Sequence, residues 1–244
     1  MIRPRSWPVR AAVVALLALA AAAGMMLAAR SAPRHQTGQE SGKPVLMLLT
    51  ALPIVFPETF GLQGGGSAAL NALQARYRIL SISVADAANL RRGRLLFIAH
   101  AFAQPAEVLV ELDAWVRSGG AVVLLADPMV EWDSQRPLGH SLRPPPMFTD
   151  TGLLKRWGLR LEAPDERGPA ERHIGSRRVL TVSPGALFGK CSISADRLVA
   201  RCAVGKGRAT IIADADFLDI DRLDGPKDEN LGALLEELTS IESP

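Results

Sequence analysis

Four short, almost continuously apolar runs constrain this chain most: residues 44–50 (PVLMLLT), 95–99 (LLFIA), 121–126 (AVVLLA) and 208–213 (RATIIA). Apolar runs of that length, without polar alternation, suit strands buried on both faces, as in a parallel sheet covered by helices. Helical patterns fall between them. Ser67 is placed to cap a helix running through Arg76, with Leu70, Leu73 and Tyr77 inward. Residues 77–84 read as a further strand. Pro105 suits the first turn of a second helix, on which Val108, Leu112, Trp115 and Val116 share a face before Gly119-Gly120 ends it. A last helix opens near Asp228 and carries Leu231, Leu234, Leu235 and Leu238 along one side. The alternation predicts an α/β fold with a mostly parallel, doubly wound sheet. Strands also fall over 159–162 and 178–182, and a hairpin over 191–204 is added to the sheet. Between them, residues 127–148 hold Pro128, Pro137, Pro144, Pro145 and Pro146, a long excursion of the kind that often carries function.

The N-terminus has a different character. Arg3, Arg5 and Arg10 precede nineteen uncharged, small or apolar residues at 11–29. A helix of that length covers about 28 Å, close to the apolar thickness of a bilayer. The expectation is an N-terminal transmembrane or signal helix over residues 1–29, a polar linker over 30–43, and an α/β domain over 44–244. Read as an uncleaved anchor, the segment makes a single-pass protein with a cytoplasmic N-terminus and a periplasmic domain. Read as a cleaved signal, with Ala21-Ala22-Ala23 near the cut, it leaves the domain free in the periplasm. The membrane is thus an expected partner through residues 11–29, together with a membrane protein. Nucleic acid is not: the net charge of +3 comes from the leader. Removing its five arginines and Glu40 from totals of 28 basic and 25 acidic residues leaves 23 and 24, a net of −1.

The motif GKGRATIIADADFLD at 205–219, followed by Asn230 opening a leucine-rich helix, resembles the ABC-type uncharacterised transport system family, which includes auxiliary proteins of gliding-motility-type ABC transporters. Residues 95–128 resemble that family's strand–helix–Gly-Gly–strand unit. The resemblance implies a domain like the class I glutamine amidotransferases, or flavodoxin-like in outline, lying outside the cytoplasm beside membrane segments. In amidotransferases the nucleophilic cysteine follows the strand after the paired glycines. Here that position is Ala126-Asp127-Pro128, with neither Cys nor Ser, and no G-x-S-x-G occurs elsewhere.

Other chemical signals are sparse. Gly64-Gly65-Gly66-Ser67 lacks the Gly-Lys-Ser/Thr ending of a phosphate loop and reads as a flexible loop with a helix cap. His35, His100, His140 and His173 have no metal-ligand spacing. Cys191 and Cys202 are expected to form a disulfide. A two-residue turn at Asp196-Arg197 pairs Ala195 with Leu198 and brings the cysteines opposite each other; two small buried thiols are the alternative. A ligand site is expected where Thr50, His100, Asp127, Asp214 and Asp216 converge, because each closes a core strand at the edge where open α/β sheets place their sites. The competing reading makes Asp127 and Asp214 anchors for backbone N–H groups of the following loops. Neither a nucleophile nor a metal motif stands out. The expected function is therefore a non-catalytic extracytoplasmic binding or scaffolding domain, not an enzyme and without a cofactor. The alternative is a hydrolase or metal-dependent enzyme using Asp127, Asp214 and Asp216.

Overall fold

The computed structural model describes residues 42–56, 58 and 66–242. The chain divides at Gly42, and the described residues from Lys43 onward form one compact unit. Its centre is a seven-stranded sheet. Strands β1 (Val45–Thr50), β2 (Arg78–Ser81), β3 (Leu95–Ala99), β4 (Ala121–Leu125), β9 and β10 join β11 (Gly207–Ile212) in the order β2-β1-β3-β4-β11-β10-β9, with β9 at Ser192–Ile193 and β10 at Val199–Val204. The first five in that order run parallel; β10 and β9 alternate antiparallel at the edge.

The two-residue period of the strands sorts their side chains into two cores. Leu46, Leu48, Phe97, Val123 and Ile212 face one side. There they pack with Leu73 of helix α1 (Ala68–Arg76) and with Leu234 and Leu238 of the C-terminal helix, Asn230–Glu242. Met47, Leu49, Leu96, Val122, Leu124 and Ile211 face the other side, against Leu112 and Val116 of the helix Ala106–Arg117. Ser67 caps α1, its hydroxyl accepting from the Leu70 N–H at 3.1 Å.

Several features correct the expected class. The sheet is mixed, because β10 and β11 are joined through Gly205-Lys206 and pair antiparallel over their whole length. Gly205 makes the reversal with φ +61, and a Cβ there would lie 2.7 Å from the Arg117 carbonyl oxygen. The hairpin over 191–204 is therefore not an appendage but the edge of the main sheet, with Ile193 opposite Ala200 and Ser192 opposite Arg201. A disulfide joins Cys191 to Cys202 there, Cα atoms 4.8 Å apart. The strands expected over 159–162 and 178–182 are present, outside the main sheet. They lie in two separate antiparallel pairs, β5 (Leu159–Glu162) with β8 (Ala186–Gly189), and β6 (Pro169–Ile174) with β7 (Arg177–Val182).

The membrane expectations are corrected as well. The segment 11–29 lies outside the described residues, and among those described no helix is long and apolar enough to cross a membrane. The expected N-terminal transmembrane helix, the membrane and membrane-protein partners and the periplasmic single-pass placement have no element in the described chain and are not carried forward.

Two polar side chains buried beneath the C-terminal helix are paired. Asn230 at the start of the C-terminal helix accepts from the Leu180 N–H at 3.0 Å and donates to the carbonyls of Leu180 and Phe217, both at 2.8 Å. It thereby fastens β7 to the last helix. Glu237 accepts from Arg201 and from the Thr210 hydroxyl, tying that helix to β10 and β11. Truncating Asn230 strands three backbone groups in a dry interior. Asn230→Ala is expected to lower stability by about 2–4 kcal/mol, read as a reduced urea midpoint at unchanged slope.

Candidate functional site

The carboxyl ends of β4 and β11 are adjacent because Ile212 is in register with Leu125. One further residue along each strand is alanine, and the next is aspartate, so Asp127 and Asp214 leave the sheet side by side. Asp216 follows at the head of a short 3-10 turn, Asp216–Leu218. All three side chains are buried, at 0%, 0% and 3% exposure. Each offers one ligand atom, and those three atoms lie within 4.8 Å of one another.

Backbone and hydroxyl donors hold the cluster. The two oxygens of Asp127 accept from the N–H groups of Met129 at 2.7 Å and Ala215 at 2.9 Å. Oδ1 of Asp214 accepts from the Thr181 hydroxyl and, at 3.1 Å, from the Phe217 N–H. Oδ2 of Asp216 accepts from the Glu131 N–H at 2.9 Å. Two oxygens, Oδ2 of Asp214 and Oδ1 of Asp216, are buried without a hydrogen-bond partner. These aspartates do anchor the loops after their strands, and loop anchoring leaves two oxygens unaccounted for.

Burial and mutual repulsion set the electrostatics. Desolvation, ahead of the charge on Glu131, raises Asp127 to about 7. Desolvation, then the charge on Asp127, raises Asp216 to about 8. Asp214, the most enclosed, is pushed well above the usual carboxylate range by burial and by both neighbours. Three like charges within this space cannot all ionise without a compensating cation.

Thr50 and His100 lie outside this cluster. The Thr50 hydroxyl donates to the Ala99 carbonyl at 2.8 Å and accepts from the Leu52 N–H at 3.0 Å, closing the turn after β1. His100 follows β3 with φ 48 and is fully buried. Its Nε2 meets the Pro145 carbonyl at 2.8 Å, its Nδ1 has no partner, and burial lowers its pKa to about 4. It is a post for the proline-rich excursion, which the Asp127 carbonyl also fastens by accepting from the Phe148 N–H at 2.6 Å.

Sequence reasoning missed Thr181, Ser183 and Glu131. Ser183, with φ 48, accepts from the Gly168 N–H at 2.9 Å and donates to Oε1 of Glu131. Glu131 thus touches Asp216 through its backbone and Ser183 through its side chain. It also lines a cavity of about 600 Å³ with Pro128, Met129, Pro146 and Arg167, a cavity the buried aspartates do not line. The clustering of prolines around Glu131 was the available signal.

No protein-family model matches the chain, and no curated protein matches it. Among solved structures it resembles part of a GH42 β-galactosidase of G. stearothermophilus, with 15% identity and TM-score 0.51, over 82% of this chain and 30% of that one. An exo-β-1,4-mannosidase of an Opitutaceae bacterium matches at 15% identity and TM-score 0.49, over 80% and 35%. A cytoplasmic protein of Salmonella typhimurium matches at 11% identity and TM-score 0.48, over 81% and 98%. The first likeness speaks to the fold alone; the other two, below 0.5, carry no argument. The chain spans about a third of the length of the glycosidases. The fold is therefore described by its likeness to a portion of a glycosidase, which replaces the amidotransferase-like or flavodoxin-like class expected from sequence. The expectation of a non-enzyme is corrected too: Asp127, Asp214 and Asp216 assemble in one buried cluster able to hold a metal ion, the arrangement that the alternative reading of the sequence required.

The cluster makes stability depend on pH. The folded state keeps protons on the aspartates that the unfolded chain releases above about pH 4, so their contribution is lost as pH rises through 7 and 8. His100 acts in the opposite sense and mostly below this window: with its pKa lowered to about 4, its contribution is regained as pH rises toward its ordinary value near 6.5, above which the imidazole becomes neutral in both states. The thermal midpoint of metal-stripped protein is expected to fall by about 5 °C or more between pH 6.5 and 8.5. Asp216→Asn should flatten that slope in the same circular-dichroism melts.

Proposed function

We propose that the domain is a metal-dependent hydrolase in which Asp127, Asp214 and Asp216 hold one hard divalent cation. The carrying observation is the pair of buried carboxylate oxygens without partners, Oδ2 of Asp214 and Oδ1 of Asp216, in a cluster whose ligand atoms fall within 4.8 Å of one another. Oxygen-only ligands of full negative charge suit magnesium, calcium or manganese rather than a soft metal. The place supports the reading, since both strands present their carboxyl ends there. Such a cation, when bound, would supply Lewis acidity: it would lower the pKa of a water and polarise an electrophile. Glu131, whose backbone N–H holds Asp216 and whose side chain borders the adjoining cavity, would be the group to accept a proton there.

Calorimetric titration of the chelator-stripped protein with Mn²⁺ tests this. One ion per chain is expected to bind, with a raised thermal midpoint, and Asp214→Asn should weaken binding at least about tenfold. Hydrolysis of a nitrophenyl ester, phosphate or glycoside is expected to require the ion and to stop in Asp216→Asn. Absence of both heat and thermal shift in the unmodified protein would leave a set of protonated loop anchors and overturn the proposal.

A further inference from the structure

A second cavity lies on the same edge of the sheet, at strands the carboxylate cluster does not use. It has a volume of about 560 Å³ and is walled by Thr50 and Leu52 after β1, and by Ser81 and Ser83 at the end of β2. β1 is the strand from which the chain first moves one way, to β2, and then crosses to β3 on the opposite side. Connections that leave such a strand toward opposite faces part from each other, and the crevice they leave is where open α/β sheets bind ligands. The volume falls within the usual range of about 300–1,000 Å³ for small-molecule sites.

Three large apolar side chains stand in water around this one cavity. Phe56 is 80% exposed, Leu142 62% and Phe102 41%, and all three line it. They come from three separate segments of the chain, so their convergence is a property of the fold and not of one loop's composition. Exposed apolar groups gathered at a concavity mark a binding surface. The polar groups narrow the ligand further. Arg136 and Glu58 are the charged residues of the lining, and they pair with each other at 3.5 Å. Glu58 also accepts from the Ser134 hydroxyl at 2.5 Å and the Gln135 N–H at 2.8 Å. The charges cancel and are committed, so neither calls for an ionic ligand. The hydroxyls of Ser81 and Ser83 make no hydrogen bond among the described residues and are free to meet an uncharged oxygen.

We propose that this cavity, framed by Thr50, Ser81, Ser83, Phe56 and Phe102, binds a neutral ring-containing small molecule that carries a carbonyl or hydroxyl group. The rings lie against the phenylalanines and Leu142, and the oxygen meets the serine hydroxyls. The site is independent of the cation cluster, which can fail its own test without affecting this one.

Benzophenone, a neutral two-ring ketone that inserts into C–H bonds under near-ultraviolet light, is a direct probe. The full chain is irradiated with it, digested, and the labelled residues mapped by mass spectrometry. Labels are expected to concentrate on Leu52, Phe102 and Leu142. Ser81→Trp, which fills the cavity from an exposed position, should reduce labelling of those residues at least fivefold while labelling elsewhere stays unchanged. Phe102→Ala, also at an exposed position, should lower labelling of Leu52 and Leu142 and provides the same comparison should Ser81→Trp fold poorly. Benzoate in place of the ketone, as a competitor, should protect weakly. Labelling of these residues no denser than over the rest of the surface, labelling indifferent to both substitutions, or protection by benzoate as strong as by unlabelled ketone would overturn the proposal.

Discussion

The Asp127 carboxylate holds together the edge on which everything of chemical interest depends. It stands at the end of β4, yet one of its two hydrogen bonds goes to Ala215, beyond the end of β11. The other goes to Met129, at the start of the proline-rich excursion. Parallel neighbours are paired along their length by the sheet, but their ends diverge into loops that have no ladder to hold them. A short acceptor side chain at the last core position solves this with two backbone donors. In doing so it brings a formal negative charge into a dry space, and Asp214 and Asp216 repeat the solution within a few ångströms. Local anchoring, applied three times at one place, creates the electrostatic problem that a cation or protons must answer.

The layers around the sheet follow from side-chain alternation in strands that are apolar at every position. Such a strand must be covered on both sides, and the helices Ala68–Arg76 and Ala106–Arg117 supply opposite faces. Polar anchors then set the angles at which helices sit. Asp113 shows how: it is 2% exposed and accepts from Arg117, Arg156 and the Trp157 indole, at 2.9 Å for the indole. One carboxylate therefore joins its own helix to a segment some forty residues later. Because the guanidinium groups are 43% and 60% exposed, the buried partner is bonded without burying their charges.

What was legible in the sequence divides along physical lines. β1, β3, β4 and β11 are uninterrupted apolar runs, and burial on both faces leaves no other composition open to them. β6, by contrast, reads PAERHI and has exposed and half-buried residues in alternation. It pairs with β7 outside the main sheet, and nothing local distinguishes it from a loop. The antiparallel edge escaped for a related reason: a hairpin at 191–204 and a strand at 208–213 are both visible, but which neighbours pair is decided by the two-residue turn at Gly205-Lys206. In the candidate site the aspartates stood out because they end core strands. Thr181, Ser183 and Glu131 did not. A hydroxyl on a strand and a glutamate among prolines acquire meaning only when β7 and the excursion are brought over the cluster.

Burial of the aspartates bears on how such a cluster can act. A carboxylate at zero exposure meets no substrate, so chemistry there needs an intermediary that reaches both the cluster and open space. Glu131 has that reach. Its N–H holds Asp216, its side chain is fixed by Ser183, and it borders the 600 Å³ cavity. Its charge also raises both Asp127 and Asp216. A change in the position of Glu131 is therefore felt by the buried carboxylates directly. Ser183, just after β7, has a left-handed backbone, unusual for a residue with a side chain, and its hydroxyl donates to Glu131. Strain of this kind persists only where the surrounding structure over-determines it, and here Gly168 and Glu131 hold the hydroxyl from two sides. The excursion, the β6–β7 pair and the sheet edge thus meet at a single side chain, and that side chain is the one with access to solvent.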